Sequence, residues 1–176
     1  MYQVSSKFPF ESVHCPTSKS YANRALILAS LKADCVYLKD MPDAQDVLDM
    51  KQLLISIGLD LETNGAIVSI KNSFPECERK SNETIELNLG EGGSTVRFII
   101  ALLCLGQNKY LLEFEGRMKE RPMSELYDHL RSLGAKIKVR DDLRVEIEGP
   151  LDFSINKLIK VDCSKTTQFA SALMHL

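Results

Sequence analysis

The 176-residue sequence has no C-x-x-C pair, no long hydrophobic run and no excess of charge of either sign. Its five cysteines are odd in number and widely scattered, which argues against a disulfide framework or a zinc knuckle. The longest apolar run, residues 98–105, is far shorter than the roughly 20 residues that a membrane span needs. With no targeting pattern at the N-terminus, we expect a protein of the reducing cytoplasm.

The 22 basic and 24 acidic residues nearly balance, and the net charge is −2. No overall electrostatic field therefore favours nucleic acid or an anionic membrane, and we expect neither as a partner. Any anion-binding site must be local. The hydrophobic content of 44% is sufficient for one sizeable core.

The same order of strand and helix patterns occurs twice along the chain, over about residues 15–72 and 84–148. Each stretch predicts a β-α-β-α-β-β unit or its main body, and a third unit, over 153–176, is cut off after its first helix. Arg24 and Arg97 lie 73 residues apart and Arg97 and Gln168 lie 71 apart, with similar residues around each. These near-equal offsets favour a real duplication and an α/β fold of repeated units.

Apolar spacing predicts helices over 20–31, 44–57, 94–105 and 122–133, the last with Pro122 as its first helical residue. Alternating patterns predict hairpins around Asn64-Gly65 and Asp141-Asp142. The polar stretch 72–83 and the Gly149-Pro150 pair are expected to connect packed units.

Hydroxyl-bearing residues or glycines recur at the start of the first helix of each unit. Helix N-termini have unpaired backbone N–H groups and partial positive charge, so three starts facing one cleft would bind phosphate or carboxylate groups. Each serine or threonine alone is also explained as a helix cap, and Lys19 and Arg24 as a solvent-facing surface. Recurrence favours the anion site. The recurring residues are Ser18, Lys19, Ser20 and Arg24; Gly92, Gly93, Ser94, Thr95 and Arg97; and Ser164, Thr166, Thr167 and Gln168.

Residues 116–122 (GRMKERP) place three cations, Arg117, Lys119 and Arg121, within five residues between a strand and a helix. Such a charge run is usually solvent-facing, but beside the glycine-rich turn 90–93 it is a candidate second anion clamp. That turn is not a P-loop, because it lacks the spacing and the lysine. The three histidines have no partner at metal-ligand spacing, so we expect no metal.

Four motifs, in order along the chain, resemble the 5-enolpyruvylshikimate-3-phosphate (EPSP) synthase family. They are PTSKSYANRALILASL, LNLGEGGSTVRFIIALL, GRMKERPMSELYDHLRSLGAKI and SKTTQFASALM. The resemblance implies α/β domains of pseudo-threefold repeated units, two of which close over phosphoenolpyruvate and shikimate 3-phosphate. It also implies transfer of the enolpyruvyl group to the shikimate 5-hydroxyl with release of phosphate, for aromatic amino acid biosynthesis, without a metal or organic cofactor.

The resemblance also implies roles for individual residues. The shikimate 3-phosphate ligands would be Lys19, Ser20, Arg24, Thr166, Thr167 and Gln168. The phosphoenolpyruvate ligands would be Lys19, Gly93, Arg117 and Gln168. Ser94, Arg97 and Arg121 would support them. Glu91 departs from the family pattern, where asparagine is usual, and sets a carboxylate near the phosphoenolpyruvate site.

The family's chain is longer, and its acid–base groups lie outside the stretch matched here, so no catalytic residue is assigned. Residues 1–14 are expected to pair with the second domain, and residues 15–176 to form an incomplete first domain. Because proton transfer by a positioned group contributes about 10²–10⁴-fold, we expect this chain alone to be inactive but to bind substrates weakly.

Two alternative functions remain open from the sequence. One is an enolpyruvyl transferase acting on a UDP-sugar, whose first motif has asparagine after the lysine where Ser20 stands here. The other is a general anion-binding module built from α/β repeats.

Overall fold

The structure, a computed structural model, describes residues 17–155, 158–164 and 166–176. The first unit contains α1 (Lys19–Ser30), β1 (Val36–Leu38), α2 (Gln45–Ser56), β2 (Leu61–Asn64) and β3 (Ile67–Ile70). The second contains β4 (Ile85–Asn88), α3 (Gly93–Leu103), β5 (Lys109–Glu113), α4 (Ser124–Ser132), β6 (Lys136–Val139) and β7 (Val145–Glu148). The third is represented by α5 (Gln168–Met174). The N-terminal segment predicted over residues 1–14 lies outside the described residues.

The two units repeat the same sheet topology. In the first sheet, of order β1-β3-β2, Ile70 of β3 pairs with Val36 and Leu61 on its two antiparallel neighbours. In the second sheet, of order β4-β5-β7-β6, Ile147 of β7 pairs in the same way with β5 and β6. β4 adds a parallel strand beside β5, and the described part of the first unit has no counterpart to it. The repeat predicted from the sequence is therefore present in the strand pairing.

Both predicted hairpins form. In the first, Asn64 pairs with Ile67 across a turn in which Gly65 has φ +58°, a conformation that glycine adopts without steric cost. In the second, the Arg140 N–H donates to the Arg144 carbonyl oxygen at 2.9 Å. Turn chemistry explains the first connection, whereas the second places Leu143, a residue other than glycine, at φ +66°.

Helix α3 lies at the centre of the core. Every residue from 95 to 103 is buried, and the helix packs against α1, α2 and α5. Apart from Thr95 and Arg97 these buried residues are apolar, and such a helix is stable only when other elements surround it. The packing of α1 and α5 on α3 brings the starts of three equivalent helices together. Among the described residues, no helix has the length and apolar character of a membrane span.

The start predicted for α4 is wrong. The helix begins at Ser124, so Pro122 precedes it instead of being its first residue. A 3₁₀ turn over Gly116–Glu120 comes first, and Arg121 after it is extended with ψ 136°. The proline ring disfavours helical backbone in the residue before it, which explains the extended Arg121.

The connection over residues 72–83 is fastened to both units. Phe74 is 1% exposed, and its N–H donates to the Ser30 carbonyl oxygen at 2.7 Å. The Glu78 carboxylate accepts from the Gln107 N–H at 2.7 Å and from the Tyr110 hydroxyl. Burial, and after it the hydrogen bond to Glu78, raises the pKa of Tyr110 well above its usual range. Glu78 therefore ties the connection to β5.

Replacing Glu78 with alanine is expected to lower the free energy of unfolding by about 2 kcal/mol, because the buried Tyr110 hydroxyl would lose its acceptor. Urea denaturation would measure the loss. Glu83→Ala, an exposed carboxylate in the same connection, is the control and should change stability by less than about 0.5 kcal/mol. Equal losses in the two variants would contradict this role for Glu78.

Candidate anion-binding site

A cavity of about 600 Å³ lies at the starts of helices α1, α2, α3 and α5. Lys19 lines it from the first residue of α1, Gly93 and Ser94 from the start of α3, and Gln168 from the first residue of α5. Residues from three equivalent helix starts therefore meet at one place, as the repeat predicted. This convergence needs no loop of special shape, because the helices themselves bring the residues together.

The hydroxyl groups of the N-cap residues at two of these helix starts make no capping hydrogen bond. Ser18 and Thr167 occupy the N-cap positions of α1 and α5, and neither side chain makes a capping hydrogen bond. Thr166 Oγ1 instead accepts from the Gln168 N–H at 3.1 Å. Because α5 has only seven residues, we attribute its contribution to side chains and not to a helix dipole.

A hydrogen-bonded chain joins α3 to α5 beside the cavity. Arg97 Nη1 donates to the Gly93 carbonyl oxygen at 2.9 Å and to Gln168 Oε1 at 2.7 Å. Gln168 Nε2 donates to Ser94 Oγ at 3.0 Å. Arg97 is only 5% exposed, and its pKa is lowered by burial and then by the charge of Arg121. A full positive charge thus lies beneath the cavity.

The absence of a side chain at Gly93 leaves the space in which these groups meet. A Cβ atom there would lie 2.5 Å from Arg121 Nη1 and 2.8 Å from Arg97 Nη1, both closer than real contacts allow. It would also lie 3.5 Å from Gln168 Oε1. Any residue other than glycine would therefore push at least one guanidinium group away.

The predicted three-cation clamp is formed by two residues. Arg117 and Arg121 line the cavity, whereas Lys119 lines only a neighbouring groove, which it shares with Arg121 and Met123. The 3₁₀ turn explains the difference, because with three residues per turn neighbours two positions apart point in different directions.

Carboxylates also line the cavity, and two of them were not anticipated from the sequence. Asp46 and Asp49 come from α2, and Asp46 Oδ2 lies 2.8 Å from Lys19 Nζ. The Glu91 carboxylate contacts Gly116, whose φ of +48° suits glycine. The three lining carboxylates match the three lining cations in number. Acidic residues near a helix start are common, so the sequence carried no signal for Asp46 or Asp49.

Two of the residues assigned to shikimate 3-phosphate, Ser20 and Arg24, form a second group with Ser171. Arg24 Nη1 donates to the Ser20 carbonyl oxygen at 3.0 Å and to Ser20 Oγ, and Nη2 donates to Ser171 Oγ at 3.1 Å. The guanidinium carbon lies 5.3 Å from the centre of the Phe98 ring. The solvent-facing interpretation is therefore wrong for Arg24. Ser171 was not anticipated, because nothing in its local sequence distinguishes it from a polar residue on a helix surface.

Four residues from that assignment do not line the cavity. Ser20, Arg24, Thr166 and Thr167 are absent from its walls, while Lys19 and Gln168, which were assigned to both substrates, line it. The cavity thus collects all four residues assigned to phosphoenolpyruvate and two of the three supporting residues, Ser94 and Arg121. Their binding roles remain predictions.

Fold and site together define a class of protein: an α/β domain of duplicated units with a candidate anion-binding cavity where equivalent helices begin. The family model for EPSP synthase (3-phosphoshikimate 1-carboxyvinyltransferase) matches residues 11–176. The chain belongs to the EPSP synthase family, as the four motifs indicated.

The chain is similar to two curated relatives described as 3-phosphoshikimate 1-carboxyvinyltransferase. The relative from Salmonella typhi is 37% identical over 166 residues, which cover 93% of this chain and 38% of the relative. The relative from Aliivibrio salmonicida is 32% identical over 167 residues, 92% of this chain and 38% of the relative. The chain therefore spans well under half the length of the curated relatives it matches.

A solved structure, the EPSP synthase from Acinetobacter baumannii, matches with a TM-score of 0.76 at 19% identity. The match covers 91% of this chain and 36% of that one. The likeness shows the fold, which is that of the enolpyruvyl transferases.

Gly93→Ala is expected to weaken the binding of inorganic phosphate about tenfold, the effect of losing one charge-assisted hydrogen bond, because the new methyl group displaces a guanidinium group. An NMR titration would measure the dissociation constant. Gly65→Ala is the control: its Cβ would have nothing within 4 Å, although its φ of +58° costs stability. An unchanged phosphate affinity in Gly93→Ala would count against the assigned geometry.

Proposed function

We propose that this chain is part of an enzyme that transfers the enolpyruvyl group from phosphoenolpyruvate to the 5-hydroxyl of shikimate 3-phosphate, releasing phosphate. Membership of the EPSP synthase family supports the reaction. The single observation that carries the site is the cavity, which gathers Lys19, Gly93, Arg117 and Gln168. The motifs assign those four residues to phosphoenolpyruvate, although they are spread over three separate units of the sequence.

The chemistry of the cavity suits a small ligand with two anionic groups. Arg117 and Arg121 provide guanidinium groups that bind carboxylate or phosphate oxygens in bidentate fashion. Lys19 is 61% exposed on its side chain and pairs with Asp46, so a phosphate group can take the place of that carboxylate. Gln168 adds a neutral amide. Phosphoenolpyruvate carries both a carboxylate and a phosphate and matches this set.

Arg24 suits the phosphate of the second substrate. Its two terminal nitrogens donate to serine oxygens only, and among the described residues it forms no salt bridge with a carboxylate. A phosphate dianion would supply the missing counter-charge. Ser20 and Ser171, already bonded to the guanidinium group, would hold it in place.

Acid–base chemistry and the rest of the substrate enclosure are proposed to come from outside this stretch of sequence. The chain spans 38% of the relatives named above, which leaves room for the second domain that the family resemblance implies. Pairing of residues 1–14 with that domain remains a prediction. The described cysteines are all free, which supports a cytoplasmic setting.

Arg117→Ala is expected to weaken phosphoenolpyruvate binding by about 1.5–3 kcal/mol, because one charge-assisted contact is lost. Lys119→Ala is a matched control: it removes a cation from the same 3₁₀ turn, but one that faces another groove. NMR titration of the whole chain at constant ionic strength would give both dissociation constants.

Similar losses in Arg117→Ala and Lys119→Ala would refute the proposed site. Sulfate, inorganic phosphate and a UDP-sugar serve as competitors in the same titration. If sulfate at matched charge binds as tightly as phosphoenolpyruvate, a general anion-binding module is the correct function. Preference for the UDP-sugar over shikimate 3-phosphate would indicate the related transferase.

Arg24→Ala is expected to weaken shikimate 3-phosphate binding by about 1.5–3 kcal/mol and to leave phosphoenolpyruvate binding unchanged, since Arg24 does not line the cavity. Calorimetry with each substrate separately would show the difference. Lys32→Ala, an exposed cation just after the same helix, is the control. Parallel losses for both substrates would contradict the division into two groups.

A further inference from the structure

We propose that Arg97 is a positioning residue: it fixes the side-chain amide of Gln168 so that its N–H groups, and not its oxygen, face the anion. For the identity of the anion, this inference rests on the proposed function. The orientation of the amide itself does not depend on it. This role is indirect. The motifs instead suggested that Arg97 supports a bound ligand directly.

The Arg97 side chain is buried behind the residues that line the cavity. It is 5% exposed and is not among the residues that line the cavity. Nη1 is already engaged by the Gly93 carbonyl oxygen and by Gln168 Oε1. Arg97 therefore reaches the cavity through two residues that line it, Gly93 and Gln168.

The hydrogen bond from Arg97 determines which end of the Gln168 amide is available. A guanidinium group only donates, so it can bond the amide oxygen but not the amide nitrogen. With Oε1 held at 2.7 Å from Arg97 Nη1, Nε2 turns to the opposite side, where it donates to Ser94 Oγ at 3.0 Å. Gln168 and Ser94 both line the cavity. A reversed amide would instead present an oxygen atom that repels anions.

A second contact holds the start of α5 from another direction. The guanidinium carbon of Arg97 lies 5.3 Å from the centre of the Phe169 ring, within the range of a cation–π interaction. Phe169 is 4% exposed and directly follows Gln168. The side chain of Arg97 thus fixes two consecutive residues of α5, one through its amide and one through its ring.

The first experiment uses NMR of the whole chain without any ligand. In the wild type, the Gln168 Nε2 protons are expected to show nuclear Overhauser contacts with the Ser94 β-protons. Contacts of those protons with the Arg97 guanidinium protons in place of Ser94 would overturn the inference. This measurement needs no variant, so it does not depend on whether a variant folds.

The second experiment compares Arg97→Met, Arg97→Lys and the double variant with Gln168→Met by their dissociation constants for phosphoenolpyruvate. Arg97→Met is expected to weaken binding about tenfold in the wild-type background, the effect of about one hydrogen bond to a charged ligand. In the Gln168→Met background the same change should cost less than about twofold, because coupled residues are not additive. Arg97→Lys should restore part of the affinity, since an ammonium group can donate to Oε1.

A tenfold loss in both backgrounds would show that Arg97 acts without Gln168 and would overturn the inference. Urea denaturation of the same variants distinguishes this role from a purely structural one. Arg97→Met and Gln168→Met are not expected to show, in the free energy of unfolding, the coupling that they show in the dissociation constants. If the wild type fails to bind phosphoenolpyruvate, the proposed function is wrong, and the nuclear Overhauser contacts still decide the orientation of the amide.

Discussion

The close approach of three helix starts at Gly93 is the constraint on which the site depends. Two guanidinium groups and one amide occupy the space that a side chain would fill there. Burial disfavours the charged form of Arg97, as its lowered pKa shows. Two hydrogen bonds and the Phe169 ring nevertheless hold the guanidinium group in place. The same burial keeps its positive charge unscreened by water and close to the cavity. The packing of α3 in the core therefore determines both the shape and the electrostatics of the site.

Because the units are duplicated, the same interaction, an arginine over a phenylalanine ring, recurs at two successive interfaces between units. Arg24 of the first unit lies 5.3 Å from the Phe98 ring of the second, and Arg97 of the second lies 5.3 Å from the Phe169 ring of the third. The third equivalent position holds Gln168, which is neutral. A third arginine would put two guanidinium groups against each other, whereas glutamine accepts a hydrogen bond from Arg97 and still offers its own donors. The break in the repeat thus allows the three units to converge.

Local patterns predicted most of the fold, because helix spacing and turn residues act over a few positions. The hairpin at Gly65 and the order of elements in the second unit follow directly from them. The duplication made part of the site predictable as well, because equivalent helices that pack together bring their equivalent residues together. The inward position of Asp46, the outward position of Lys119 and the bond from Arg24 to Ser171 depend on how helices rotate against each other. No short stretch of sequence encodes that rotation.

The balance of charge in the cavity bears on how the site works. Replacing Asp46 with a phosphate group as the ion-pair partner of Lys19 costs little free energy, because exposed ion pairs contribute only about 0–1 kcal/mol to stability. Glu91 is different: its carboxylate lies against Gly116 in the wall formed by the Arg117 turn, and it opposes any anion that enters. With three cations matched by three carboxylates, the residues that line the cavity carry no net charge. The cavity walls therefore offer a multiply charged anion no excess of positive charge, and its recognition depends on the placement of individual donors such as Arg117, Arg121 and Gln168.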